Sequence, residues 1–147
     1  MHWLMKSEPG VYSLDDLERD RTTWWNGVRN YQARNYLKEM RPGERAFFQR
    51  SGPAPAIVGL MTVVRAAVPD PGQFNPRDKH FDPTATELAP RWFQVEVRFT
   101  KRFARPAALA ELRERGSLKS MMLFRRSRLS VIPVTAAEFE AILTLCG

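Results

Sequence analysis

The chain predicts an α+β domain, a small curved mixed sheet or open β-barrel with helices packed around it. Three observations carry this expectation. Short apolar or alternating runs, WLM at 3, RAFFQR at 45, AIVGLMTVV at 56, WFQVEVRF at 92 and LSVIPV at 129, are interspersed with capped helical stretches. The connections between them are too short for repeated right-handed βαβ crossovers, which argues against a doubly wound parallel sheet. A length of 147 residues fits one compact domain, since a core of this size buries roughly 70% of the surface that the unfolded chain exposes. One folding unit over 1–147 is expected.

The elements follow in order. WLM reads as a short buried strand feeding KSEPGVYS, a loop by its Pro-Gly content. Ser13-Leu14-Asp15-Asp16 has the form of a helix start, a hydroxyl N-cap with a carboxylate three residues on, and a brief helix from about Leu14 to Asp20 follows. Ala33, Tyr36, Leu37 and Met40 stand at i, i+3, i+4 and i+7, one apolar stripe of a helix that Pro42-Gly43 ends. RAFFQR and AIVGLMTVV read as strands, the second continuous enough to be buried on both sides. Residues 69–91 hold five of the eleven prolines and read as a long ordered loop. WFQVEVRF alternates, with Phe93, Val95, Val97 and Phe99 on one face and Trp92, Gln94, Glu96 and Arg98 on the other, polar face. Pro106 and Gly116 frame a short helix, AALAELRER. LSVIPV is a last strand, and Thr135 with Glu138 makes a capping box for a terminal helix burying Phe139, Ile142 and Leu143.

Composition limits the chemistry. The single cysteine, Cys146, excludes an intrachain disulfide, and with only His2 and His80 beside it no closed zinc site is expected. The histidine shortage also argues against Ser-His-Asp or Cys-His catalysis. His80, in RDKHFDP, reads either as a general base or, more economically, as a solvated loop side chain. No run approaches the about 18 apolar residues of a membrane span, and the opening MHWLMKSEPG lacks the pattern of a secretory signal. A soluble, cytoplasmic protein without cofactor or metal is the expectation. The net charge is +7. Ten Lys or Arg against Glu111 and Glu114 fall between Arg98 and Arg128, so the excess lies there and raises the local potential for polyanions. A solvated basic surface would explain the same block.

The stretch TTWWNGVRNYQARNYL at 22–37 places two tryptophans beside a loop glycine and a basic helix. Neighbouring residues in extended chain point in opposite directions, so Trp24 and Trp25 are expected to face different surroundings, one packed and one free. An aromatic plane beside exposed N–H groups and asparagine amides suits a nucleobase, which needs a stacking surface and donors or acceptors for its edge. Trp25 would supply the first, Asn30, Ser7 and the Lys6-Ser7-Glu8 turn the second, and Arg29 and Arg34 would hold phosphates. The residues equally allow both tryptophans to be core anchors and Asn26 or Asn30 a helix N-cap.

Several motifs resemble the EVE domain, a member of the PUA-like superfamily related to YTH domains: WLMKSEP at 3–9, YSLDDL at 12–17, WNGVRNYQARNYL at 25–37, GERAFF at 43–48, IVGLMTVV at 57–64, FDP at 81–83, PRW at 90–92 and RLSVIPVT at 128–135. They run in order over nearly the whole chain, and KSEP combined with GVRNYQARN is specific to the family. The resemblance implies a PUA-like fold and a non-catalytic pocket for modified bases in DNA or RNA. Position by position it makes Trp25 the main wall of an aromatic cage, with Ser7, Glu8, Asn30 and Trp92 on motif positions and Lys6 and Arg29 in the same motifs. Asn26 departs from an aspartate common in the family, and Gln49-Arg50 from a frequent tyrosine-histidine pair. A carboxylate only accepts hydrogen bonds whereas an amide does both, so the first departure changes the pattern a base would meet.

The reading is thus a non-enzymatic nucleic-acid module that stacks a modified base on Trp25. Trp92, Trp24 or Leu118, Met121 and Met122 would be further walls, with the basic block, Arg125 and Arg126 included, on the phosphates. LKSMMLF reads equally as plain core. Two other functions stay open: a scaffold binding RNA or protein through the basic face without a pocket, and a nucleotide-directed hydrolase using Glu8 with Asp15, Asp16 or Glu96.

Overall fold

The computed structural model describes residues 1–146. Its elements are β1 (His2–Ser7), α1 (Leu14–Asp20), β2 (Thr22–Trp25), α2 (Tyr31–Glu39), β3 (Arg45–Arg50), β4 (Ala56–Pro69), β5 (Phe93–Ala108), α3 (Leu109–Arg113), α4 (Met122–Arg125), β6 (Val131–Val134) and α5 (Ala136–Cys146). The six strands form one open mixed sheet in the order β2-β5-β4-β3-β1-β6. The β1–β3 pair is parallel and every other pair antiparallel. Between β1 and β3 the chain makes one long excursion through α1, β2 and α2, and this excursion builds the site. No helix among the described residues is long and apolar enough to cross a membrane.

Local chemistry places the helices as expected. Ser13 Oγ accepts from Asp16 N at 3.1 Å while Asp16 Oδ2 accepts from Ser13 N at 2.9 Å, a complete capping box for α1. Thr135 and Glu138 repeat it at α5, although there Cys146 rather than Leu143 joins Phe139 and Ile142 in the core. Leu14 and Leu17 of α1 and Ala33 and Leu37 of α2 pack against the buried centre of the sheet, where Leu4, Phe47, Met61 and Val97 are closed off from solvent.

The structure departs from the sequence reading at three points, each for a tertiary reason. Thr22–Trp25, assigned to no element from the sequence, is a strand: it pairs with Val95–Arg98, and only long-range pairing holds so short a segment extended. β5 runs through Pro106 to Ala108, so helix α3 starts three residues later than the proline suggests. Beyond Arg98 that side of β5 has no partner strand, and a proline there breaks no ladder. β4 is buried along nearly all of 56–64, as expected, and then continues as an exposed strand to Pro69. Trp92 and Gln94, assigned to a polar face, are buried, because four register shifts between β4 and β5 bend the strands and the 69–91 segment folds back over that face.

Candidate nucleic-acid interface

The turn after β2 is held from a distance. Asp70, 2% exposed, accepts from Gly27 N at 2.8 Å, from Arg29 Nη1 at 3.0 Å and from Gly72 N at 2.9 Å. Gly27 has φ of +76°, a left-handed conformation that costs an L side chain energy. Buried Gln73 locks the other end: its Nε2 donates to the carbonyls of Asp70 and Trp92, and its Oε1 accepts from the N–H groups of Arg91 and Trp92. The long prolyl segment is therefore a strut. Nothing local in the sequence reveals this. Asp-Pro-Gly at 70–72 announces a capped turn but not what the aspartate reaches.

Between this strut, the end of β1 and β2 lies a cavity of about 470 Å³. One wall is Lys6, Ser7 and Glu8, a second is the unbroken run from Thr23 to Arg29, and Val11, Tyr12, Lys79, His80 and Ser130 complete it. Both tryptophans border the cavity, contrary to the expectation that alternation would separate them. Seven consecutive residues along one wall exceed what a single strand face can present, because the chain turns at Gly27 and the cavity wraps around the strand end. Trp25 is the more buried, 8% exposed, with its ring edge-on to Phe48 at 5.5 Å; Trp24 is half-buried.

Much of the polar lining is already engaged. Ser7 Oγ donates to the Tyr12 carbonyl at 2.6 Å, and Lys6 Nζ to the Ser127 carbonyl at 2.9 Å. Burial lowers the Lys6 pKa from its ordinary value. Arg29 donates to the carbonyls of His80 and Val28 as well as to Asp70, and its guanidinium lies over Trp92, 5.5 Å from the ring centroid.

Other residues singled out from the sequence lie elsewhere. Asn30 is the N-cap of α2, its Oδ1 accepting from Ala33 N at 2.9 Å, and it borders a second hollow instead. Trp92 stacks on Tyr31 at 4.7 Å and donates its indole N–H to Asp82 at 2.7 Å, so the FDP and PRW motifs anchor each other rather than line the cavity. The Thr84 hydroxyl, the Trp92 indole N–H and the Thr84 backbone N–H together depress the Asp82 carboxyl to a pKa of about 2. Met121 and Leu118 are core residues at 1% exposure each, because α4 turns inward under β6, and Met122 packs on Tyr36. Arg34 lies over the Tyr31 ring and donates to Asn35 and to the Arg91 carbonyl.

The basic block is also divided by folding. Arg102 is paired with Asp15 and Glu18, and Arg105 with Glu111. The run Arg125–Arg128 instead borders the second hollow, about 280 Å³, with Asn30 and Leu129. The two hollows adjoin: Arg29 and Ser130 border the first, their chain neighbours Asn30 and Leu129 the second. Among the described residues no group of three or more His, Cys, Asp or Glu is placed to hold a metal ion.

Comparison with known proteins accords with this architecture. The family model described as EVE domain matches residues 1–145. Human thymocyte nuclear protein 1 is 45% identical over 98% of this chain and 73% of its own length. A crystal structure of a Pseudomonas syringae protein superimposes with a TM-score of 0.95 at 40% identity, covering 100% of both chains. Human THYN1 in complex with 5-methylcytosine containing DNA superimposes with a TM-score of 0.93 at 44% identity, covering 98% of this chain and 96% of that one. On its sequence motifs, its six-stranded sheet and these matches, the chain belongs to the EVE domain family.

Proposed function

We propose that this chain is a non-catalytic nucleic-acid reader. It takes one modified base into the cavity bordered by Trp24, Trp25 and the Ser7–Glu8 turn, while Arg125 and Arg126 meet neighbouring phosphates. The observation that carries the reading is the junction of two hollows of different chemistry, one with aromatic walls and hydrogen-bonding groups, the other lined by arginine. A nucleotide divides in the same way, into a flat base with a polar edge and an anionic backbone. Extruding a base costs a few kcal/mol. Stacking offsets it by about 1–3 kcal/mol, and a buried methyl group adds about 0.8 kcal/mol.

The methylcytosine-containing DNA bound by human THYN1 supports DNA carrying that base as the first ligand to try. A hydrolytic role through Glu8 has less support: of its candidate partners, Asp15 pairs with Arg102, Asp16 caps α1 and Glu96 pairs with Arg65, and none of the three borders the cavity with Glu8.

The test is a titration of wild type and Trp24→Ala with short DNA and RNA oligonucleotides carrying cytosine, 5-methylcytosine or 5-hydroxymethylcytosine at two salt concentrations. One modified base is expected to bind several-fold tighter, and Trp24→Ala to lose that preference while keeping salt-sensitive binding. Salt-sensitive binding that ignores the modification, and is the same in the variant, would leave a surface scaffold and no base pocket.

A further inference from the structure

Several side chains at the cavity, Glu8, Asn26, Lys79 and His80 among them, make no hydrogen bond within the described residues, and of these His80 is the one seated against the Gly27 turn. Lys6, Ser7 and Arg29 spend donors on carbonyls or on Asp70. The imidazole of His80, beside the Gly27 turn, has no hydrogen bond to either ring nitrogen among the described residues. Its Nδ1 stands 3.6 Å from Asp78 Oδ1, an electrostatic contact longer than a hydrogen bond.

His80 is nevertheless firmly placed. Its backbone N–H donates to Asp78 Oδ1 at 2.7 Å and its carbonyl accepts from Arg29 Nε at 2.9 Å. The ring lies against Gly27, where a Cβ would come within 2.9 Å of Cε1. Asp78 in turn lies against Gly72, where a Cβ would meet its Oδ2 at 2.8 Å, and Asp70 binds the N–H groups of both glycines. Gly27, Asp70, Gly72, Asp78 and His80 thus close a ring of contacts that presents an unbonded imidazole at the cavity wall. A polar group held without a partner in a preorganised setting is what selective recognition of a ligand edge needs.

Resting on the reader function above, we propose that His80 is the specificity-determining residue of the pocket and selects bases that carry an exocyclic amine. The Asp78 carboxylate beside Nδ1 favours the tautomer with the proton on that nitrogen, which leaves Nε2 as an acceptor. An acceptor suits the amino group of cytosine or adenine and opposes the carbonyl that thymine or uracil carries at the equivalent edge position. Asp78 is a positioning residue, and Gly27 is the seat that lets the ring approach.

5-Methylcytosine and thymine share the methyl group and differ at this edge, so they separate the edge contact from the methyl contact. Single-stranded oligonucleotides carrying one 5-methylcytosine, cytosine or thymine would be titrated against wild type, His80→Ala and His80→Phe, the last keeping the ring packing without the acceptor. Wild type is expected to prefer 5-methylcytosine over thymine by about tenfold, the scale of one hydrogen bond. Both variants should bring that ratio near one, by weaker 5-methylcytosine binding and relief of the acceptor–carbonyl repulsion with thymine. Because the chain has only two histidines, ring 15N resonances give a second readout on wild type itself. His80 should shift on adding the 5-methylcytosine strand, and His2, stacked on Phe139 at the other end of β1, should not.

If both variants keep the 5-methylcytosine-to-thymine ratio, or the His80 resonances stay still under saturating ligand, the assignment to His80 is wrong while the pocket stands. If wild type prefers 5-methylcytosine over neither cytosine nor thymine, the reader function falls and this assignment with it.

Discussion

Gly27 N donates to Asp70 Oδ2 at 2.8 Å, joining the turn after the paired tryptophans to a side chain 43 positions along the chain. The same carboxylate is ion-paired to Arg29 in a nearly dry setting. Removing it would strand two backbone donors and a guanidinium together. Asp70→Ala is therefore expected to lower stability by about 3 kcal/mol, read by urea denaturation with tryptophan fluorescence. A loss below about 1 kcal/mol would show that the strut is dispensable.

The tryptophans should separate in the same assay. Trp25 is packed against Phe48, and truncating it leaves a void, so Trp25→Ala should cost about 3–5 kcal/mol. Half-buried Trp24 should cost about 1 kcal/mol or less on truncation, which makes it the cleaner probe of binding. Equal losses would contradict the burial difference.

Gly27→Ala should be destabilised by about 1–2 kcal/mol from its positive φ alone. The new methyl also displaces the His80 ring. Discrimination between 5-methylcytosine and thymine should fall along with stability. Gly10→Ala, where the added methyl meets nothing within 4 Å, is the control; a glycine effect of equal size at both positions would sink the argument.

Acid should loosen the Trp92 anchor. The Asp82 carboxyl has a folded-state pKa of about 2, below the value of about 3.9 in an unfolded chain. Its contribution is therefore complete above about pH 4 and is lost as pH falls toward 2. Asp82→Asn should flatten that part of the pH–stability curve, measured by thermal melts between pH 6 and 2. Superimposable slopes for variant and wild type would refute the coupling.

Salt dependence should distinguish ion-paired arginines from those with no ion pair among the described residues, such as Arg125 and Arg126, the latter held by Gln32. Arg125→Ala and Arg126→Ala should each reduce the slope of log K against log salt by about 1. Arg102→Ala should leave it unchanged, since Asp15 and Glu18 already neutralise that guanidinium. The reverse order would place the phosphates on the face of α1.

How much of this was legible depended on how far each interaction reaches along the chain. Capping boxes at Ser13 and Thr135 and the apolar stripe of α2 are written within four residues, and they appear where the sequence puts them. The KSEP turn and the double tryptophan were recognisable as one motif set, and the structure brings Lys6, Ser7, Glu8, Trp24, Trp25 and Arg29 to one cavity. Met121 and Trp92 were misplaced because burial of an apolar side chain depends on what folds over it, and neither the inward turn of α4 nor the strut over β5 has a local signature.

The sequence by itself determined the mixed α+β class, the helix boundaries set by caps and the family, because periodicity, capping and motif order are properties of neighbouring residues. Only the tertiary structure decided which arginines are ion-paired, that 69–91 is a strut rather than a passive loop, and that His80 borders the cavity. Each of those depends on charges and hydrogen bonds meeting across dozens of residues. The backbone path sets such meetings, and no short stretch of sequence encodes them.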